Sequence, residues 1–310
     1  MVKVLVLGAT GKQGAATIKA LLASGEHSVR AFVRDSSSDK AKALAAAGVE
    51  LVEGGDWDKD VAALDQAFAG GIEAVFFPSI PCFTDMDAEV RGATNIIEAA
   101  KKAGVKHVVY STVGGLERYR ELPDLDSNPL FKNYWVSKAK GEELVKQAGF
   151  PYYTILRPNE FMSNFTTAAS AHFQVPDLIK EGVWHTAHPA DFQLSLIDED
   201  DIGRVAAAAI AAPATFANRA LTVRGQRLTV GELVAQLGEV AGKKLSVSPY
   251  PQDEVPKIAK ENPVVAGQIA KMVLDEKGAV PDHFGLGFKT FKQHLEAHRD
   301  EVIELYKGAP

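Results

Sequence analysis

The sequence predicts a doubly wound α/β fold, a mostly parallel sheet with helices on both faces and a smaller α/β lobe attached. Three observations carry that expectation. Short β-rich runs alternate with helical stretches through the first half of the chain. A glycine-rich turn separates the first run from the first helix. The first run, Val4-Leu5-Val6-Leu7, is continuously apolar, as a strand covered on both faces should be.

In chain order, strands are predicted at residues 3–7, 29–33, 49–52, 74–77, 107–110 and 153–156. Apolar residues three or four apart mark the helices between them. Ala16, Ile18, Leu21 and Leu22 mark the first, Val61, Leu64 and Phe68 another, and Ile96, Ile97 and Ala100 a third. The alternation stops near residue 157. Residues 163–195 read as irregular and rich in aromatics and histidine. A helix over 202–211 begins behind Asp198, Glu199, Asp200 and Asp201, and one more strand is predicted at 220–223. Helices follow near 229–241, 253–259, 263–275 and 288–306, and residues 307–310 are expected to fray. The expected division is a first domain over 1–157 and a smaller lobe over 158–310. Segments near 193–224 are expected to return to the first domain's sheet.

Composition narrows the function classes. Of 310 residues 46% are hydrophobic and 24% charged, which excludes a disordered chain, a coiled coil and a collagen. Basic residues number 34 against 40 acidic, a formal net charge of −6 that opposes a nucleic-acid binder. No apolar run reaches the ~18–20 residues that span a bilayer, so no membrane partner is expected. The apolar start reads as a strand, not a signal peptide. The single cysteine, Cys82, forms no internal disulfide, and a reducing cytoplasm is the expected compartment. Oligomeric state is not legible.

The strongest motif is Gly8-Ala9-Thr10-Gly11-Lys12-Gln13-Gly14, after a predicted strand and opening a predicted helix. Glycines there allow a tight turn and close approach to a pyrophosphate, and the helix N-terminus supplies N–H donors. Arg34 ends the second strand twenty residues beyond Gly14. A carboxylate in that slot binds a ribose 2′-hydroxyl and selects NAD, whereas an arginine pairs with a 2′-phosphate and selects NADP. Asp35 follows directly and argues for NAD under a one-residue shift. Arg34 tips the reading to NADP(H), with Ser36, Ser37, Ser38 and Lys40 as further phosphate donors. Gly55-Asp56-Trp57 follows the third strand, beside the expected adenine. Asp56 either accepts from the adenine amino group or caps the helix starting near Lys59.

Tyr134 and Lys138 stand i, i+4 on the helix before the sixth strand, hence on one face. A neighbouring ammonium favours a phenolate, and such a pair can shuttle a proton as hydride moves. The bland alternative is a packing tyrosine and a surface lysine.

With these residues in place the chain resembles the short-chain dehydrogenase/reductase superfamily, in its atypical NmrA-like branch. The Gly8–Gly14 turn, Arg34, Gly55-Asp56 and Lys138 carry the likeness. So do Arg157-Pro158-Asn159-Glu160-Phe161-Met162-Ser163-Asn164, Asp201-Ile202-Gly203 and the stretch over 291–300. The resemblance implies a Rossmann-type domain with a small α/β lobe and NADP(H) in the cleft. It implies that Ser79, Ile80 and Pro81 follow the diphosphate and ribose, that Phe161 to Asn164 border the nicotinamide, and that Lys138 holds its ribose. Some members of the branch reduce quinones, aromatic or phenolic compounds with NADPH. Others bind the dinucleotide without turnover and regulate a partner protein, with a nuclear location then possible. Retention of Tyr134 favours the enzyme, acting on a small carbonyl, quinone, imine or activated double bond. The superfamily's Ser/Thr slot holds Val113, and Ser111 or Thr112 is left to substitute for it.

Other clusters carry less. Asp198 to Asp201 read as an acidic helix start and not as a metal site. His185-x-x-His188 and His294-x-x-x-His298 have ligand-like spacing without a third ligand. His294 and His298 are expected on a solvated helix face. His185 and His188 are expected in a segment over the nicotinamide, where a histidine either contacts substrate or, as favoured, plays a structural role. Cys82 reads as a small buried or semi-buried residue.

Overall fold

Alternating apolar runs and helix-forming segments produce the following chain order in the computed structural model, which describes residues 1–274 and 285–310. The first half runs β1 (Val2–Val6), α1 (Lys12–Ser24), β2 (His27–Val33), α2 (Asp39–Ala46), β3 (Glu50–Glu53), α3 (Val61–Phe68), β4 (Ala74–Pro78), α4 (Ala88–Lys102), β5 (His107–Ser111), α5 (Pro129–Gln147) and β6 (Tyr152–Pro158). Next come β7 (Glu160–Phe161), α6 (Ala168–Gln174), α7 (Pro176–Glu181), β8 (Val183–Thr186), β9 (Gln193–Ile197), α8 (Glu199–Ala211), α9 (Pro213–Phe216) and β10 (Arg219–Val223). The chain continues through β11 (Arg227–Thr229), α10 (Val230–Ala241), β12 (Ser246–Pro249), α11 (Val255–Glu261), α12 (Pro263–Leu274), α13 (Phe291–Ala297) and α14 (Arg299–Tyr306).

The chain divides into two units. The first comprises Met1–Glu117, Lys132–Pro158 and Glu199–Thr222. Its seven-stranded sheet has the order β10-β6-β5-β4-β1-β2-β3. β1 pairs with β2 and β4, β2 with β3, β4 with β5 and β5 with β6, all in parallel. The order reverses between β1 and β4, and ligands of open α/β sheets bind at the carboxyl ends of the strands beside such a switch point. Leu5, Leu7, Phe32, Val75, Phe77 and Val108 pack against Leu64, Phe68 and Ile96 in the helices on one face. α8 lies against α1 so closely that a Cβ on Gly203 would meet the Ala16 carbonyl carbon at 2.3 Å.

The second unit comprises Arg118–Phe131, Asn159–Asp198 and Val223–Pro310. It holds a three-stranded sheet ordered β11-β9-β7 and the parallel pair β12-β8. Its core gathers Phe165, Trp184, Leu233, Leu237, Phe291 and Tyr306.

Three expectations need correction. Residues 163–195 are not irregular: α6, α7, β8 and most of β9 lie there. α6 and α7 have 7 and 6 residues, too short to display a helical period, and each is placed by its buried residues Ala171, Leu178 and Ile179. The helix expected over 288–306 is two helices. His298 closes α13, its N–H shared between the carbonyls of His294 and Leu295, and α14 restarts at Arg299. The terminus does not fray in the expected way, because Ala309 is buried and donates its N–H to Tyr306 at 3.0 Å. Residue 275, the expected end of the helix that began at 263, lies outside the described residues.

Candidate functional site

The turn after β1 is built by its glycines in different ways. Gly8 has φ +66°, a left-handed conformation that side chains resist. Gly14 lets α1 start against the turn, since a Cβ there would lie 2.2 Å from the Gly8 oxygen. Gly11 donates its N–H to that same oxygen at 2.9 Å and is the N-cap of α1. No side chain caps this helix, and a Cβ on Gly11 would approach only the Gly8 oxygen, at 3.2 Å. The turn therefore leaves room above an uncapped helix start, a setting suited to an anion. Thr10 is half-buried, and its carbonyl accepts from Lys40 at 3.4 Å. Lys12 lies 3.8 Å from Glu199. Burial pulls the Lys12 pKa down, Glu199 opposes that, and Lys40 adds repulsion. Gln13 accepts the Ser111 hydroxyl at 2.6 Å.

At the end of β2 the arginine and the aspartate separate. The Arg34 side chain is 81% exposed and lies 4.0 Å from Asp56. The Asp35 carboxylate is turned onto Ser37, accepting from its N–H at 2.8 Å and its hydroxyl at 2.6 Å. Those bonds hold the Asp35 carboxyl below its ordinary range. The serines expected as phosphate donors are spent locally. Ser36 binds Glu53, Ser37 binds Asp35, and Ser38 caps α2. Arg34 in this loop and Lys40 on α2 remain as cations beside it.

The capping alternative for Asp56 is corrected: Asp60 caps α3, accepting from the Ala63 N–H at 3.1 Å. Asn95 of α4 fixes the adjoining backbone by donating to the carbonyls of Trp57 and Asp58, both at 3.1 Å. The indole of Trp57 covers Gly92, where a Cβ would lie 2.6 Å from its Cδ1, and reaches towards Gly8. There Trp57, Phe77, Pro78, Ser79, Ile80 and Glu89 help line a small cleft that opens to solvent. Gly8 and Pro78 meet at the switch point, a Gly8 Cβ falling 3.0 Å from the proline ring. Ile80 is exposed and Pro81 half-buried in the loop that continues from β4.

Lys138 is not a surface lysine. Its side chain is 3% exposed and its ammonium lies 3.0 Å from Glu89, itself 4% exposed. The ammonium also donates to Ser79 at 3.2 Å, and Ser79 bonds to Glu89. It sits 4.4 Å from the centroid of the Tyr134 ring, over the face of the phenol. Glu89 was not legible as a site residue. Its signal is its spacing with Gly92, Ala93 and Ile96, which sets one carboxylate on the buried face of α4.

Neither alternative for the Ser/Thr slot presents a spare hydroxyl hydrogen. Ser111 is fully buried and donates to Gln13, and Thr112 donates to Glu142 at 2.9 Å. Glu142 also accepts from Arg157 at 2.8 and 2.7 Å, which holds its carboxyl low despite burial.

Phe161 and Asn164 belong to the second unit. Phe161 is half-buried in β7, and Asn164 donates to Glu160 at 2.7 Å. His188 is buried and stacked on Phe192 at 4.8 Å, and His185 stacks on Tyr250 at 6.2 Å. His294, expected in solvent, is 2% exposed and bridges Asp198 and Thr166 at 2.8 and 2.9 Å. Its face of α13 turns inward because Phe291 and Leu295 flank it in the core. Among the described residues no group of side chains could hold a metal ion, and no helix is long and apolar enough to cross a membrane.

Comparison with known proteins assigns the fold and the family. The NmrA-like family model matches residues 2–298. The NAD(P)H azoreductase of Xenophilus azovorans is 32% identical over 243 residues, 77% of this chain and 74% of that protein. An NmrA-like family domain-containing oxidoreductase, notA, of an Aspergillus species is 42% identical over 114 residues. The match covers only 33% of notA, and 49% of a second Aspergillus relative. The Citrobacter triphenylmethane reductase crystallised with NADP(H) superposes with a TM-score of 0.72 at 22% identity, covering 96% of this chain and 99% of that one. The negative transcriptional regulator NmrA in complex with NADP superposes at 0.65 and 20% identity, over 99% of this chain and 91% of that one. By the extent of the family match, the chain belongs to the NmrA-like family.

Proposed function

We propose that this protein is an NADPH-dependent oxidoreductase that reduces a small carbonyl, quinone, imine or activated double bond. The observation that carries the reading is the meeting of the Gly8 turn with Pro78–Ser79 at the switch point, to which α5 brings Lys138. The residues present fit a dinucleotide: α1 has no side-chain cap, and Gly11 leaves open the space that a pyrophosphate needs. Arg34 and Lys40, with Asp35 turned onto Ser37, favour a 2′-phosphate over a ribose hydroxyl. When bound, NADPH supplies the hydride. The chain's own part is to orient the dinucleotide with the turn and Lys138, and to deliver a proton from Tyr134. Relatives named NAD(P)H azoreductase and (4-alkanoyl-5-oxo-2,5-dihydrofuran-3-yl)methyl phosphate reductase support a reductase.

A second reading, a dinucleotide sensor that regulates a protein partner, is favoured by one observation. Ser111 and Thr112 have both committed their hydrogens to neighbours, so the usual serine donor is missing. NADPH oxidation with a panel of quinones, azo compounds and carbonyls separates the two. Turnover supports the enzyme, and tight NADPH binding without any turnover supports the sensor.

A further inference from the structure

We propose that Glu89 is a positioning residue for Lys138, keeping its ammonium charged and aimed at Ser79 and the Tyr134 ring for a bound dinucleotide. The proposal rests on the reading that Lys138 serves NADPH. Two charged side chains at 3% and 4% exposure, 3.0 Å apart, are an expensive way to fill a core. An apolar pair of similar size usually gives equal or greater stability, so packing alone does not account for them. The pair also occupies a telling place, because Glu89 and Ser79 both line the cleft beside Pro78.

Among the described residues Glu89 is the close anionic partner of Lys138. Ser79, at the end of β4, accepts from the ammonium and bonds to Glu89. Tyr110 on β5 is fully buried and kept neutral, because burial pushes its phenol up. Tyr134 offers the face of its ring. Glu142, one turn along α5, is committed to Arg157, Lys146 and Thr112. Burial drives Lys138 towards its neutral form, and Glu89 is what opposes that. Without the carboxylate the amine would lose its charge and its bearing on Ser79.

The test uses the full chain with Glu89→Gln, Glu89→Asp, Lys138→Met and the double variant Glu89→Gln/Lys138→Met. Thermal melting without nucleotide and NADPH titration by fluorescence are each run from about pH 6 to about pH 9, so that a change in lysine protonation shows as a pH dependence. Glu89→Gln should melt below wild type, with a deficit that shrinks as pH rises and the buried amine sheds its proton. Its NADPH affinity should fall progressively with pH, by about tenfold or more at the upper end. Glu89→Asp keeps the anion and should keep the wild-type pH profile at reduced affinity. Wild-type affinity and pH profile in Glu89→Gln would overturn the proposal. If Glu89→Gln does not fold, the double variant should still recover melting relative to Lys138→Met, and Glu89→Asp carries the binding arm. A double variant that merely adds two losses, or Glu89→Asp indistinguishable from wild type, would overturn it too. A wild type that binds no NADPH sinks the reductase reading instead, and the melting cycle distinguishes that failure because it needs no nucleotide.

Discussion

His107, the first residue of β5, donates its Nε2–H to the Thr154 hydroxyl oxygen on β6 at 3.0 Å. The direction is settled by Thr154, whose own hydrogen goes to the Phe216 carbonyl at 3.2 Å. The ring is therefore the Nε2–H tautomer, and its buried Nδ1 has no hydrogen-bond partner among the described residues. A second proton would have to enter that site, and burial depresses the pKa to about 4.

The sign of the resulting pH dependence follows. Between the unfolded value of about 6.5 and the folded value, the unfolded chain binds more protons, so stability falls as pH falls through that window. The His107 contribution lost is roughly 3 kcal/mol once pH is below the folded value. Denaturant unfolding at about pH 7, 5.5 and 4.5 should show this decline, and His107→Gln should flatten it by its own share. His188, depressed to about 3 by burial, supplies a second share that remains in that variant. An unchanged slope in His107→Gln would contradict the assignment.

Arg34 should set cofactor choice. Calorimetric titration of Arg34→Ala should show NADPH affinity reduced about tenfold or more with NADH affinity nearly unchanged, as expected for a charge-assisted contact of ~1.5–3 kcal/mol. Equal NADPH and NADH affinities in the wild type would remove the basis for the selectivity.

Gly11 and Gly14 should fail differently. Gly11→Val should lose dinucleotide binding with a smaller loss of melting temperature than Gly14→Ala, since its Cβ would meet only the Gly8 oxygen, at 3.2 Å. Gly14→Ala should destabilise the fold itself by about 1–3 kcal/mol or more, because its methyl group collides with the Gly8 carbonyl. Paired melting and titration experiments check both, and retained NADPH binding in Gly11→Val would place the phosphates elsewhere.

Tyr134→Phe should bind NADPH almost normally and lose turnover by the ~10²–10⁴-fold of a missing general acid. Lys138→Ala should weaken binding and turnover together. Full activity in Tyr134→Phe would mean that water protonates the product and that the ring serves as a face for the Lys138 ammonium.

The local features of the site were legible because they depend on neighbours in sequence. A strand, a glycine turn and a helix lie within residues 2–24, and their order alone marks a turn suited to an anion. The i, i+4 spacing of Tyr134 and Lys138 is likewise a property of one helix. What each residue does there was not legible, because the partners come from afar. Lys138 meets a carboxylate 49 positions away, and Ser111 gives its hydrogen to a glutamine 98 positions away. The serines after Arg34 are instructive in the opposite sense. Their residue type fits phosphate binding, but Asp35, Glu53 and the start of α2 take their donors.

By itself the sequence determined the strand–helix alternation, the turn that opens α1 and the arginine that ends β2. Each follows from side-chain period or backbone freedom over a few residues. Only the tertiary structure decided that α4 places Glu89 against Lys138, that His294 faces inward, and that the segment over 163–195 folds into short helices and strands. Those outcomes depend on burial, which removes water as a partner and obliges each polar group to find another across the fold.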